Sequence, residues 1–185
     1  MPEFSISVND NDSFMCSSDG RVFDGMKGLS ICDKCHYRTD FEYVNDDFEV
    51  KRKIYDLSST YDGYYIASLK FKEFILREGI NGVDFVALKK EPMFFAMFVR
   101  STVQFDAEKR NSRSENLCSS CGNFESFIGA TPAYLKEALC NDICRTNIMF
   151  GSGNSKHPLL VVSEKLVNQL KREKIQGLNF EPTRT

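Results

Sequence analysis

The chain has 185 residues, enough for one domain or for two small halves sharing a core. Apolar residues make up 42% and charged residues 27%, which excludes a wholly disordered or collagen-like polymer. The 24 basic and 26 acidic residues leave a net charge of -2, a balance that argues against a nucleic-acid binder.

The first residues, Met1-Pro2-Glu3-Phe4-Ser5, lack the basic and apolar regions of a secretion signal. No run of 18 apolar residues marks a membrane span, so a cytoplasmic protein is expected. Up to residue 31, short apolar pieces broken by Asn, Asp, Ser and Gly read as strands and turns. Segment 40–49 carries Asp40, Glu42, Asp46, Asp47 and Glu49, with Lys51, Arg52 and Lys53 directly after. It reads as a solvated surface; the sharper alternative is an acidic contact patch for a basic partner.

Tyr65-Ile66-Ala67 predicts a short strand, and Ser68 an N-cap whose hydroxyl accepts a free helical N–H. Phe71, Phe74 and Ile75 recur at helical spacing, Gly79 suits the position after the helix, and 80–85 returns to a strand. Met93, Phe94, Phe95, Met97, Phe98 and Val99 form an apolar run read as buried strand, and the charged stretch 106–116 is the best loop candidate. Thr131-Pro132 signals a third helix, with Leu135, Leu139 and Ile143 on one side. A strand is expected at 147–150 and a mobile turn at 151–155.

Leu160-Val161-Val162, Ser163 and Leu166, Val167 and Leu170 then repeat the earlier pattern. Segment 66–85 aligns with 161–180 without a gap, and the shared residues include the cap serine and the turn glycine (Gly82 and Gly177), which the backbone geometry demands. The expectation is an α+β fold in a single compact domain, 1–185. Two diverged strand–helix–strand repeats with β-rich surroundings make up halves of approximately 1–105 and 117–185.

Seven cysteines cannot all pair as disulfides, and without a secretion signal a reducing compartment is the better guess. Cys32-Asp33-Lys34-Cys35 and Cys118-Ser119-Ser120-Cys121 are two Cys-x-x-Cys motifs, one in each half. Two such pairs make a tetrahedral four-sulfur site, the usual arrangement of structural zinc. The expected metal ligands are therefore Cys32, Cys35, Cys118 and Cys121, holding Zn2+ between the halves in a zinc-ribbon-like four-cysteine site. Gly122 follows the second pair, where positive φ lets a knuckle turn; His36 stands at that place in the first pair. Alternatives are His36 replacing a cysteine, Cys140 and Cys144 at helical spacing replacing one pair, and a redox dithiol. Cys16 reads as a core or surface residue, and His157 as solvent-exposed. No phosphate loop, His-Glu-x-x-His or nucleophile elbow is present, and no catalytic residue is assigned.

The two motifs, the second as Cys118-Ser119-Ser120-Cys121-Gly122, resemble the double-CxxCG family of bacterial proteins. So does the ending from Pro158-Leu159-Leu160-Val161-Val162-Ser163 to Gly177-Leu178-Asn179-Phe180-Glu181-Pro182. His36 departs from that pattern. The resemblance implies paired motif cysteines and, for some members, service as immunity proteins against toxins delivered between neighbouring cells. It implies a cognate protein toxin as partner and no catalytic residue. Two other readings stand beside it. One is a zinc-ribbon nucleic-acid-binding or regulatory protein, which requires Lys51–Lys53 and Lys109–Arg113 to converge. The other is a thiol-dependent redox enzyme.

Overall fold

The computed structural model describes residues 2–16 and 28–184. In chain order the elements are β1 (Glu3–Val8), β2 (Leu57–Ser59), β3 (Tyr65–Ser68), α1 (Leu69–Arg77), β4 (Val83–Leu88), β5 (Glu91–Val99) and β6 (Thr102–Val103). Then come α2 (Ala107–Arg110), β7 (Arg113–Leu117), β8 (Phe124–Ile128), β9 (Ile143–Ser152), β10 (His157–Ser163), α3 (Glu164–Arg172) and β11 (Leu178–Pro182). Strand outweighs helix in this α+β fold. One sheet runs β11-β1-β10-β9-β8-β7, with β6 parallel to β9; the other runs β2-β3-β5-β4.

The two strand–helix–strand segments fold alike for local reasons. Ser68 and Ser163 have extended backbones, and their hydroxyls accept the amides of Phe71 and Leu166. Phe71, Phe74 and Ile75 line the buried face of α1, and Leu166, Val167 and Leu170 that of α3. Each helix closes with matching bonds: Glu78 to Phe74 and Ile80 to Ile75 in one, Glu173 to Gln169 and Ile175 to Leu170 in the other. The chain then turns through Gly82 (φ 79°) or Gly177 (φ 94°) into the next strand.

Behind each cap stands an aspartate that local pattern does not reveal. The Asp56 carbonyl accepts the Ser68 amide at 2.8 Å, its Oδ1 accepts the Ser68 hydroxyl at 3.1 Å, and its Oδ2 holds Lys70 at 2.9 Å. Asp142 does the same for Ser163 and Lys165, at 3.0, 2.6 and 2.9 Å.

The sheet neighbours correspond as well. β5 lies between β3 and β4, antiparallel to both, and β1 lies between β10 and β11, antiparallel to both. Met97 stands opposite Tyr65 and Phe85; Ile6 stands opposite Leu160 and Phe180. Val99 faces Val83, and Val8 faces Leu178. Past these strands the Arg100 amide donates to Gly82 at 2.8 Å and the Asn9 amide to Gly177 at 3.0 Å. The strand near the start of the chain thus completes the C-terminal sheet, and a mid-chain strand completes the N-terminal one.

One apolar cluster unites both segments. It takes Leu57, Phe71, Phe74, Ile75 and Met97 from one, and Ile6, Leu160, Leu166, Val167 and Leu170 from the other. Fully burying each large side chain of this kind contributes about 1.5–3 kcal/mol. The C-terminal ends of the helices meet through Arg77–Glu173 at 2.8 Å and Gln169–Glu78 at 2.6 Å.

Three local expectations are corrected. Segment 131–142 is not a helix. Its amides and carbonyls pair with distant partners: Asp106 donates to Tyr134, Lys136 to Gln104, Leu135 to Arg184, and Arg184 to Ala133. Leu135 and Ile143 are still buried, but in an irregular connection and a strand. The charged stretch 106–116 holds α2, capped by Asp106, and most of the exposed strand β7. The expected turn at 151–155 contains the end of β9 and a short 3-10 helix, Gly153–Ser155.

Candidate metal centre

Each Cys-x-x-Cys motif forms the bend of a narrow hairpin. Ile31 and Arg38 bridge on either side of the first, and Leu117 and Phe124, in β7 and β8, pair on either side of the second. The internal bonds match. Cys32 donates its amide to Tyr37 at 2.9 Å and accepts from the His36 amide at 2.8 Å; Cys118 donates to Asn123 and accepts from Gly122, both at 2.8 Å. His36 (φ 59°) and Gly122 (φ 74°) both adopt the left-handed conformation that this turn requires. His36 therefore does the job of the missing glycine, and its side chain is not among the clustered ligand groups.

The two hairpins bring four thiols together. The Sγ atoms of Cys32, Cys35, Cys118 and Cys121 all lie within 4.8 Å of one another. Across the hairpins, Cys32 and Cys118 are 3.9 Å apart and Cys35 and Cys121 3.6 Å. A tetrahedron with metal–sulfur bonds of about 2.3 Å has sulfur–sulfur edges of about 3.8 Å. Those separations fit a shared cation; a disulfide would require about 2.05 Å, and all seven cysteines are free. The four residues thus have the chemistry and spacing to hold a metal ion. Lys34 reinforces the approach by donating to the Ser119 hydroxyl at 2.8 Å.

The electrostatics favour a cation here. The amides of Cys35 and Lys34 point at the Cys32 sulfur and bring it down to about 6. The amides of Cys121 and Ser120 lower Cys118 in the same way. Cys35 receives the Tyr37 amide, which lowers it, yet burial and the thiols of Cys121, Cys32 and Cys118 prevail and push it up to about 12. Four neighbouring thiols resist ionising together; a divalent cation among them removes that resistance.

Lys156 is a component that motif reading missed. It is buried, its ammonium donates to the Phe124 carbonyl, and it lies 5.2 Å from the Tyr37 ring centre. Burial lowers its proton affinity, and the fields of Cys35 and Cys121 oppose that. Four thiolates around a divalent ion carry a net double negative charge, which such a lysine offsets. Nothing in the sequence marks it, because the partners that define it lie on other segments.

The other candidates fall elsewhere. Cys140 and Cys144 approach to 3.7 Å but do not join the group of four; Cys140 is exposed, and Cys144 is buried and pushed up to about 11 by that burial. Cys16 is buried against Tyr64 at 3.3 Å. His157 is half-buried, its ring edge-on to Tyr65 at 6.0 Å, where a solvent-exposed residue was expected. The acidic segment is largely matched by cations. Asp46 pairs with Lys89, Asp47 and Glu49 with Lys90, and Glu42 with Arg100. The basic segment is matched too, with Arg52 on Asp12 and Lys53 on Glu91. No described helix is long and apolar enough to cross a membrane. No family model matches the chain, and no curated protein matches it.

Proposed function

We propose that this chain is a zinc-stabilised protein-binding protein of the double-CxxCG kind, an immunity protein that neutralises a cognate bacterial toxin in the cytoplasm by direct contact. The observation that carries the zinc reading is the meeting of four thiols, two from each half, at separations suited to one tetrahedral ion. Four thiolates fill zinc's coordination and leave no position for water or substrate, so the ion holds structure and does not catalyse. The toxin reading rests on the resemblance carried by the two motifs. The cation-matched segment 40–49 is a poor lure for a basic partner. Exposed Val86, Met93, Leu117 and Ile128 supply apolar contact area instead.

The matched caps, helix ends and strand registers support two diverged copies of one strand–knuckle–β-β-α-β unit joined by the ion. On that reading the division falls ahead of Glu91, so that β5 opens the second copy and the two copies exchange their first strands.

Two measurements test the proposal. The purified chain should carry one zinc by elemental mass spectrometry. Co-expression with the product of an adjacent gene that is toxic to a bacterial host should restore growth, and the two proteins should elute as one complex. Absence of metal overturns the zinc reading; absence of both rescue and complex overturns the toxin reading.

A further inference from the structure

Away from the metal centre a second pair of thiols meets. The Sγ atoms of Cys140 and Cys144 lie 3.7 Å apart, in contact but unbonded. We infer that this pair is a redox modification site, which a low-molecular-weight disulfide oxidises to a reversible Cys140–Cys144 bond while the four knuckle cysteines keep their arrangement. In a reducing compartment such a bond is transient and reports oxidation.

The chain holds the two sulfurs together. It bends at residues 140–142, so side chains four apart meet without a helix. Each side of the bend is tied to a different segment. The Leu139 amide donates to the Glu3 carboxylate at 2.8 Å, and Asn141 Nδ2 to the Ser101 hydroxyl at 2.7 Å. The Asp142 carbonyl accepts the Ser163 amide at 3.0 Å, and Cys144 stands opposite Val161 in the β9–β10 ladder. Two groups held this way react as if highly concentrated. Closing the bond asks mainly for rotation of the Cys140 side chain, which sits in the bend.

The two thiols are unequal, and the inequality sets the order of events. Cys140 is exposed, and the Asn141 side-chain amide points at its sulfur at 3.9 Å. Cys144 is fully buried, packs with Val103, Leu135 and Val161, and donates to the Asn141 carbonyl at 3.8 Å. Burial pushes its thiol up to about 11. Cys140 therefore meets the oxidant first. As a thiolate it attacks one sulfur of the reagent, whose S–S bond breaks and releases a thiolate. Cys144 then gives its proton to solvent and attacks the Cys140 sulfur, and the second reagent thiolate leaves. The chain loses two electrons and two protons, and the reagent is reduced to two thiols. Cys16, fully buried against Tyr64, is out of the oxidant's reach.

The test is exposure of the full-length protein, as purified, to oxidised glutathione, with an acid quench, tryptic digestion and mass spectrometry. Cleavage after Lys136 and Arg145 leaves both cysteines in one peptide, 137–145. That peptide should lose two hydrogens, dithiothreitol should restore them, and zinc content should not change. Cys144→Ser should instead trap one glutathionyl group on Cys140, and Cys140→Ser should leave Cys144 unmodified. The native chain decides by itself, so a variant that fails to fold does not shelter the proposal. A glutathionyl group that persists on Cys140 of the native chain, a bond from Cys140 to any other cysteine, or a 137–145 peptide that stays reduced overturns it. So does oxidation of the knuckles ahead of this pair, or a second equivalent of zinc held by the pair. None of these outcomes bears on a toxin.

Discussion

The two halves of the molecule reach the same backbone with different residues, and the places where they differ are informative. After the first Cys-x-x-Cys stands His36 at φ 59°; after the second stands Gly122 at φ 74°. After the helices the roles reverse, with Gly79 at φ 65° and Lys174 at φ 54°. At the other turn neither half departs from glycine: Gly82 and Gly177 both remain. The difference is steric. A Cβ on Gly79 or Gly122 would meet nothing within 4 Å, whereas on Gly177 it would lie 2.3 Å from the Leu57 carbonyl and on Gly82 2.4 Å from the Ser101 hydroxyl. Where only φ is at stake, a cost of about 1–2 kcal/mol is tolerated. Where another chain segment occupies the space, glycine is retained.

The largest effect should come from the element that joins the halves. If the knuckles are equivalent ligand pairs, Cys32→Ser and Cys118→Ser should each abolish zinc retention and impair folding. Apparent binding free energies of structural zinc, about 10–16 kcal/mol, are comparable with a whole domain's stability of about 5–15 kcal/mol. Cys16→Ser and Cys140→Ser should keep the metal. Elemental analysis with circular dichroism reads all four variants. Full zinc retention in either knuckle variant breaks the equivalence.

Next in size is the crowded glycine pair. Gly177→Ala drives a methyl into the Leu57 carbonyl and toward Tyr55 Cβ at 2.9 Å, so backbone must move. Gly82→Ala meets the Ser101 hydroxyl, which can rotate, although Asn141 donates to it at 2.7 Å. Overpacking and the φ cost together predict losses of about 3 kcal/mol at Gly177 and about 1–2 kcal/mol at Gly82. Urea midpoints at constant slope would measure them. A larger loss at Gly82 would contradict the steric account.

This asymmetry also explains what local sequence could reveal. The capped helices were legible because Ser68 and Ser163, the apolar spacing and the closing glycines act within a few residues of one another. The cysteine cluster was legible because a metal demands a ligand type and a spacing. The pairing of β1 with β10 and β11 and of β5 with β3 and β4, the aspartates at 56 and 142, and Lys156 were not, since each is defined by a partner distant in sequence. Leu135, Leu139 and Ile143 misled for the same reason: their period is helical, but Gln104, Asp106 and Arg184 take the hydrogen bonds. Residues 17–27, part of the stretch read as strands and turns, lie outside the described residues.

The aspartates behind the caps should separate the halves more gently. Asp142 supports its own unit only, through Ser163 and Lys165. Asp56 also accepts the Gln176 amide at 3.0 Å and so ties its helix cap to the far end of the chain. With net contributions of about 0.5–1.5 kcal/mol per hydrogen bond, Asp56→Ala should cost about 2 kcal/mol and Asp142→Ala about 1 kcal/mol. For Asp142 there is a pH signature. The Ser163 hydroxyl, then Lys165, hold its carboxyl below the ordinary 3.8. Its folded value is thus the lower one, so its stabilisation is present above pH 3.8 and is lost as the pH falls through the folded value. The stability gap between the native chain and Asp142→Asn should narrow below that pH, and a gap that widens there would refute the assignment.

The smallest effects belong to the open turns, and they bear most directly on why the halves can carry different residues there. Gly122→His and Gly79→Lys place a side chain in free space, so each should cost only the left-handed penalty, about 1 kcal/mol. The reverse changes, His36→Gly and Lys174→Gly, remove that penalty but enlarge the freedom of the unfolded chain. Their gain should therefore be smaller, at most about 0.5 kcal/mol. The knuckle pair adds a second readout, because the His36 and Gly122 amides close their turns on Cys32 and Cys118. If those bonds hold the conformation, zinc affinity should be unchanged in His36→Gly and fall no more than about tenfold in Gly122→His. A loss of zinc in Gly122→His far beyond its effect on stability would mean that the second knuckle needs glycine for the metal itself. The two knuckles would then be alike in backbone but not in function.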